Sequence, residues 1–134
     1  MKKAYLSIGY RNRQKLAAEI TAIRELLSAH QIELFVFVDQ YHFALQQEKE
    51  MMQQAFRDIS GSDLLIAEVS EKAIGVGIEI GYAAALGKPI IYLRQTRAEH
   101  STTAAGSAGY SVIYPGAAEI AGLLAPILAK LEQQ

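Results

Sequence analysis

The apolar positions along this chain change period several times, and each change marks an element. "KAYLSIGY" is apolar and partly β-branched, is bounded by a glycine and a charged cluster, and predicts a first buried strand. Leu16, Ile20, Ile23 and Leu27 then recur at helical spacing, flanked by Ala17, Ala18 and Leu26, with Asn12 as the expected N-cap. "IELFVFVD" predicts a second strand, and Leu45, Met52, Phe56 and Ile59 trace one stripe of a polar helix after it. "DLLIAEV" is near-continuously apolar, as strands buried on both faces of a parallel sheet are.

The next helix is expected from near Gly77 to Leu86, with Gly87 at a left-handed C-cap position and Pro89 blocking continuation. "PIIYL" and "YSVIY" supply strands four and five, and an amphipathic helix with Ile120, Leu123, Leu124, Ile127 and Leu131 closes the chain. Between Arg94 and Gly109 we expect one long irregular segment. No internal repeat or linker interrupts residues 1–134, so the pattern is that of a single domain. Alternating strands and helices predict an α/β fold, a parallel sheet of five strands with helices on both faces. In such sheets ligands bind beyond the carboxyl ends of the strands, here after strands one, three and four.

Composition narrows the function. The chain is 51% hydrophobic and 20% charged, and thirteen basic against fourteen acidic side chains leave a net charge of -1. The charges are interleaved, which disfavours a general nucleic-acid binder. The absence of cysteine excludes disulfides, thiolate nucleophiles and Cys-based metal sites. His30, His42 and His100 are scattered, without metal-binding spacing. No stretch has the length of a membrane span or a secretory leader, so a cytoplasmic protein is expected.

The run "GVGIEIGYAAALGKP" raises a chemical question, because Glu79 stands between two isoleucines just after paired glycines. Gly75, Gly77 and Gly81 are out of register for a dinucleotide fingerprint, and no phosphate-binding P-loop is present. Read alone, Glu79 is a first-turn helix glutamate favoured by the helix dipole and open to water. Placed at the carboxyl end of a sheet strand, the same carboxylate suits a nucleophile or an oxocarbenium-stabilising group, with Gly75 and Gly77 allowing close approach of backbone N–H groups to a ligand. Glu68, near the end of strand three, is a competing candidate, or else a rim charge. Asp63 opens that strand and reads equally as a turn residue; simple geometry puts it at the end opposite Glu79. Arg11 follows strand one and could cap an anion, Tyr5 suits the core, and Ser101, Thr102 and Thr103 form a polar loop.

"SDLLIAEVSEKAIGVGIEIGYAAALGKPIIYLR" resembles the signature of the nucleoside 2-deoxyribosyltransferase-like family, and within it the 2'-deoxynucleoside 5'-monophosphate N-hydrolase branch. The resemblance covers roughly a quarter of the chain, with "YLSIGYR" adding a Tyr-to-Arg spacing. It implies a doubly wound, flavodoxin- or Rossmann-like sheet, a dimer or larger homo-oligomer, and cleavage of the N-glycosidic bond of a deoxynucleoside or deoxynucleotide. It implies Glu79 as nucleophile, Asp63 as acid–base partner, Tyr5 at the sugar, Arg11 on the phosphate side, and Gly75 and Gly77 lining the pocket. No cofactor is implied, since the carboxylate supplies the covalent chemistry. The chain departs from the branch in two places. Ala73 replaces a serine that helps hold the 5'-phosphate, and "SIGYRNR" replaces a small glycine- and serine-containing turn. Thr103 keeps a hydroxyl where the neighbouring subunit would lend one. The transferases' C-terminal pocket residues are not evident in "LAPILAKLEQQ", which favours a hydrolase. The alternatives are a transferase, a TIR-like NAD glycohydrolase, and a nucleotide-binding module without turnover.

Overall fold

The computed structural model describes residues 1–134. Five parallel strands, β1 (Lys3–Ser7), β2 (Glu33–Val36), β3 (Leu64–Glu68), β4 (Ile90–Gln95) and β5 (Tyr110–Tyr114), form one sheet in the order β2-β1-β3-β4-β5. The helices are α1 (Ala17–Ala29), the single turn α2 (Phe37–Gln40), α3 (Glu48–Ser60), α4 (Ile74–Ala85), α5 (Thr102–Ser107) and α6 (Ile120–Glu132). This is the expected flavodoxin-like α/β architecture. None of its helices is long and apolar enough to cross a membrane.

Strand alternation divides the core in two. Leu64 and Ile66 of β3 face α1 and α6, in a cluster with Leu6, Ile20, Ile23, Leu27, Leu124 and Leu128. Leu65 and Ala67 face the other way, with Tyr5, Ile59, Val76, Ile80 and Tyr92 under α3 and α4. All five residues of β3 are buried, as its apolar run implied. β5 alternates buried Val112 and Tyr114 with exposed Ser111 and Ile113, because an edge strand is covered on one face only.

Three local expectations are corrected. Asn12 does not cap α1; residues 10–12 form a 3-10 turn in which Asn12 is buried, and α1 begins at Ala17. α4 starts at Ile74, three residues before Gly77, because Val76, Ile80 and Ala83 bury one stripe and tertiary packing outweighs the low helix propensity of glycine. The 94–109 segment is not wholly irregular: Ser101 caps α5 by accepting the N–H of Ala104. Gly87 does adopt the left-handed backbone, at φ 70°, that ends α4.

The strand order reverses at β1, so the crevice for a ligand opens between the segments that leave β1 and β3. These two segments touch. A Cβ on Gly9 would come within 3.1 Å of the Asn12 side-chain amide nitrogen and 3.2 Å of the Ala73 methyl, so any larger residue would press the two segments apart by a few tenths of an ångström.

Candidate active site

In β1, Tyr5 and Ser7 are two residues apart and therefore share a face, and their neighbours in register are Leu65 and Ala67 of β3. Both are completely buried. α4 lies across that face. Its buried stripe is Val76, Ile80 and Ala83, and at 100° per residue Glu79 falls on the flank nearest α3 while Gly77 and Gly81 fall on the other.

Glu79 is thus held over β1. Its Oε1 accepts the hydroxyl of Ser7 at 2.6 Å, and its Oε2 accepts the phenol of Tyr5. It forms no ion pair. Burial pushes its pKa above the ordinary carboxylate value, opposed by the bonds from Ser7 and Tyr5. The helix dipole acts weakly here, because the early start of α4 leaves Glu79 in its second turn rather than its first. Burial, and then the charge of Glu79, push the Tyr5 phenol far above its usual range, so it remains a neutral donor.

Around Tyr5 stands an aromatic wall that local sequence patterns did not reveal. Its ring lies 5.8 Å from Phe35 and 6.3 Å from Phe37, and Phe37 stacks on Phe43 at 6.0 Å with 11° between the planes. Tyr41 closes the group at 5.1 Å from Phe37. From α3, the Gln54 amide donates to the Tyr41 hydroxyl and to Asp58 Oδ1, both at 3.1 Å. Asp58 Oδ2 is buried without a partner. Its charge is among the groups that raise the Tyr5 phenol, so Asp58 belongs to this neighbourhood.

Asp63 does not. Its carboxylate accepts the backbone N–H groups of Lys2 at 2.7 Å and Lys3 at 3.0 Å, at the amino edge of the sheet. The Lys2 bond leads in holding its pKa below the ordinary carboxylate value. β3 alone, at roughly 3.3 Å per residue, interposes about 16 Å between Asp63 and the carboxyl edge. The pairing expected of Asp63 with Glu79 is therefore not made within the chain. The physical reason is that an aspartate opening a parallel strand lies at the end opposite the ligand crevice. Arg11 is exposed beyond β1. Gly75 and Gly77 are exposed in the first turn of α4, and added Cβ atoms would meet nothing within 4 Å. Gly77 and Thr103 line a cleft of about 400 Å³ between α4 and α5, which also takes in Ala73 and Ser101. That cleft lies across the α4 stripe from Glu79. Glu68 turns to the opposite face of the sheet, toward α1 and α6.

Ser7 and Asp58 are the functional candidates that sequence reasoning missed. The signal for Ser7 was its period-two relation to Tyr5. Asp58 carried none, since the two tyrosines it meets in space, Tyr5 and Tyr41, are distant in sequence.

The family model described as nucleoside 2-deoxyribosyltransferase matches residues 4–121. The chain belongs to that family. Over 51 residues it is 43% identical to a rat (Rattus norvegicus) protein named 5-hydroxymethyl-dUMP N-hydrolase, covering 38% of this chain and 27% of the relative. Over 46 residues it is 50% identical to a protein of Syntrophotalea carbinolica named for 2'-deoxynucleoside 5'-phosphate N-hydrolase activity, covering 34% of this chain and 32% of that one. The matched regions thus span about a third or less of these relatives. Among solved structures, a CMP N-glycosidase from Clostridium botulinum superposes with a TM-score of 0.67 at 23% identity, over 93% of this chain and 99% of that one. A 2-deoxyribosyltransferase from Bacillus psychrosaccharolyticus does so at 0.67 and 16% identity, over 89% and 90%. At these identities the likeness is one of fold.

Proposed function

We propose that this nucleoside 2-deoxyribosyltransferase family member cleaves the N-glycosidic bond of a 2'-deoxynucleoside or its 5'-monophosphate, with water as the acceptor. The observation that carries the reading is Glu79, a carboxylate without a cationic partner, held by two neutral donors beside the crevice. A Glu79 oxygen attacks the anomeric carbon as the carbon–nitrogen bond breaks, and that electron pair leaves with the base, which takes up a proton. Water then adds to the anomeric carbon of the glycosyl ester, loses a proton, and frees the Glu79 carboxylate and the sugar. Tyr5 and Ser7 hold the two carboxylate oxygens in place throughout, which supports attack in a fixed orientation.

Asp58 replaces Asp63 in this scheme as the second carboxylate, on the side of the aromatic wall where the base would lie. Arg11 and Thr103 serve the 5' end of the sugar, Thr103 from a neighbouring copy of the chain. The apolar outer side of α4, where Ile74 is 86% and Ile78 46% exposed, supports a homodimer or larger assembly.

The test is free-base release, followed by chromatography, from deoxynucleosides and their 5'-monophosphates, with Glu79→Gln alongside. Release that the variant loses supports the reading. Exchange that occurs only with an acceptor base makes the protein a transferase. Nicotinamide release from NAD alone supports a NAD glycohydrolase, and binding without turnover across the panel supports a silent binding module.

A further inference from the structure

We propose that Glu68 is a positioning residue: it sets the β3–α4 wall of the crevice, and so the affinity for substrate, without touching the reacting atoms. Glu68 ends β3 and is 3% exposed, yet it forms no ion pair. Its two oxygens accept three donors: the Ser70 N–H at 2.8 Å, the Ser70 hydroxyl at 2.7 Å and the Tyr114 hydroxyl of β5. The Ser70 oxygen in turn accepts the N–H of Gln95, at the end of β4, at 2.9 Å. The Gln95 side chain then donates to Glu19 Oε2 on α1 at 3.2 Å. One buried carboxylate thereby ties the ends of β3, β4 and β5 to α1.

A side chain needed only to fill space would be apolar, because burying a carboxylate without a cation is costly. What Glu68 supplies is acceptor capacity at one point for three donors on two elements. The residue it grips, Ser70, opens the segment that runs through Glu71 and Lys72 to Ala73, where the chain meets Gly9 across the crevice. A displacement of Ser70 therefore reaches the wall next to the β1 turn. Glu79 is anchored separately, by two donors that are both on β1.

The inference rests on the N-glycosidase reading, and its experiment separates the two. Glu68→Gln, Ser70→Ala and Ser70→Thr are compared with the parent on whichever nucleoside or nucleotide the parent cleaves. Glutamine offers one acceptor oxygen in place of two, and we expect it and Ser70→Ala to raise KM about tenfold with kcat within about twofold. The acid limb of the pH profile stays where it is, and Ser70→Thr, which keeps the hydroxyl, restores KM. An unchanged KM in Glu68→Gln, a fall confined to kcat, a moved acid limb, or Ser70→Thr behaving as Ser70→Ala each overturns the proposal. Amide hydrogen exchange at Ser70 and Gln95 provides a readout that needs no substrate. Faster exchange at both in Glu68→Gln supports the proposal, and unchanged exchange overturns it even if the parent cleaves nothing in the panel. Should Glu68→Gln fail to fold, Ser70→Ala decides by the same criteria.

Discussion

Glu79 and Glu68 are each served by one buried tyrosine and one serine, on opposite faces of the same sheet. On the α4 face, Tyr5 and Ser7 donate one bond apiece to the two oxygens of Glu79. On the other face, the hydroxyls of Tyr114 and Ser70 both donate to Oε2 of Glu68, and the backbone N–H of Ser70 donates to Oε1. The trios differ in where the chain brings their members from. Glu79 is presented by a helix to two residues of one strand, so the carboxylate links only two elements and stands beside the crevice. Glu68 joins strand ends and a loop, so its bonds carry architecture. Residue type is shared; topology separates the proposed nucleophile from the proposed clamp.

The largest effect that would break this comparison is in turnover. Glu79→Gln is expected to lower base release by roughly a thousandfold or more, as loss of a nucleophile does, whereas Glu68→Gln keeps kcat near the parent's; equal losses in single-turnover assays would erase the distinction.

Stability should separate the two in the opposite sense. Glu68→Ala leaves Tyr114 and Ser70 without their acceptor, at a cost of about 2–4 kcal/mol in urea unfolding. Glu79→Gln should instead raise Tm at neutral pH, by on the order of 3 °C. The sign follows from the raised pKa of Glu79. Its protonated form favours the folded state, that contribution is lost as pH rises through the folded pKa, and the ionised group then costs stability. The gain in Glu79→Gln should therefore shrink to nothing as pH falls below the ordinary carboxylate range; a gain constant with pH in calorimetry would deny that burial of charge is its source.

A finer probe is the pair of serines. Removing the Ser7 hydroxyl takes away a bond that lowers the Glu79 pKa. Ser7→Ala should move the acid limb of kcat/KM to higher pH, while Ser70→Ala leaves it in place. A coincident shift in both variants would show the faces to be electrostatically coupled.

The smallest effect belongs to a third carboxylate that lies outside both trios. Asp63→Asn should leave kcat/KM within about twofold of the parent and cost at most about 1 kcal/mol, its backbone bonds being exposed. Because the Asp63 pKa is lowered, its contribution is present above the ordinary carboxylate range and fades as pH falls through the folded pKa. A turnover loss approaching that of Glu79→Gln would restore Asp63 to the chemistry.

Much of this fold is local and so was legible in the chain itself. The stripe of Ile20, Ile23 and Leu27, the unbroken apolar run of β3 and the alternation of strand with helix are statements about neighbours, and period alone specifies them. The motif around Glu79 pointed to a family and a nucleophile, and the family model matches residues 4–121. The beginning of α4 and the existence of α5 were not legible in the same way. Glycine-rich and six-residue segments have weak intrinsic preferences, and packing decides them.

Which residues come together at the candidate site depends on the tertiary structure. Tyr5 and Ser7 lie 74 and 72 residues from Glu79, and their union depends on strand parity, the β1–β3 register and the flank of α4 that faces α3. The same parity sends Glu68 to the far side, and strand direction puts Asp63 at the closed end of the sheet. Residue types chose the chemistry that was possible; which carboxylates could share it was a matter of distance, and distance is a property of the folded chain.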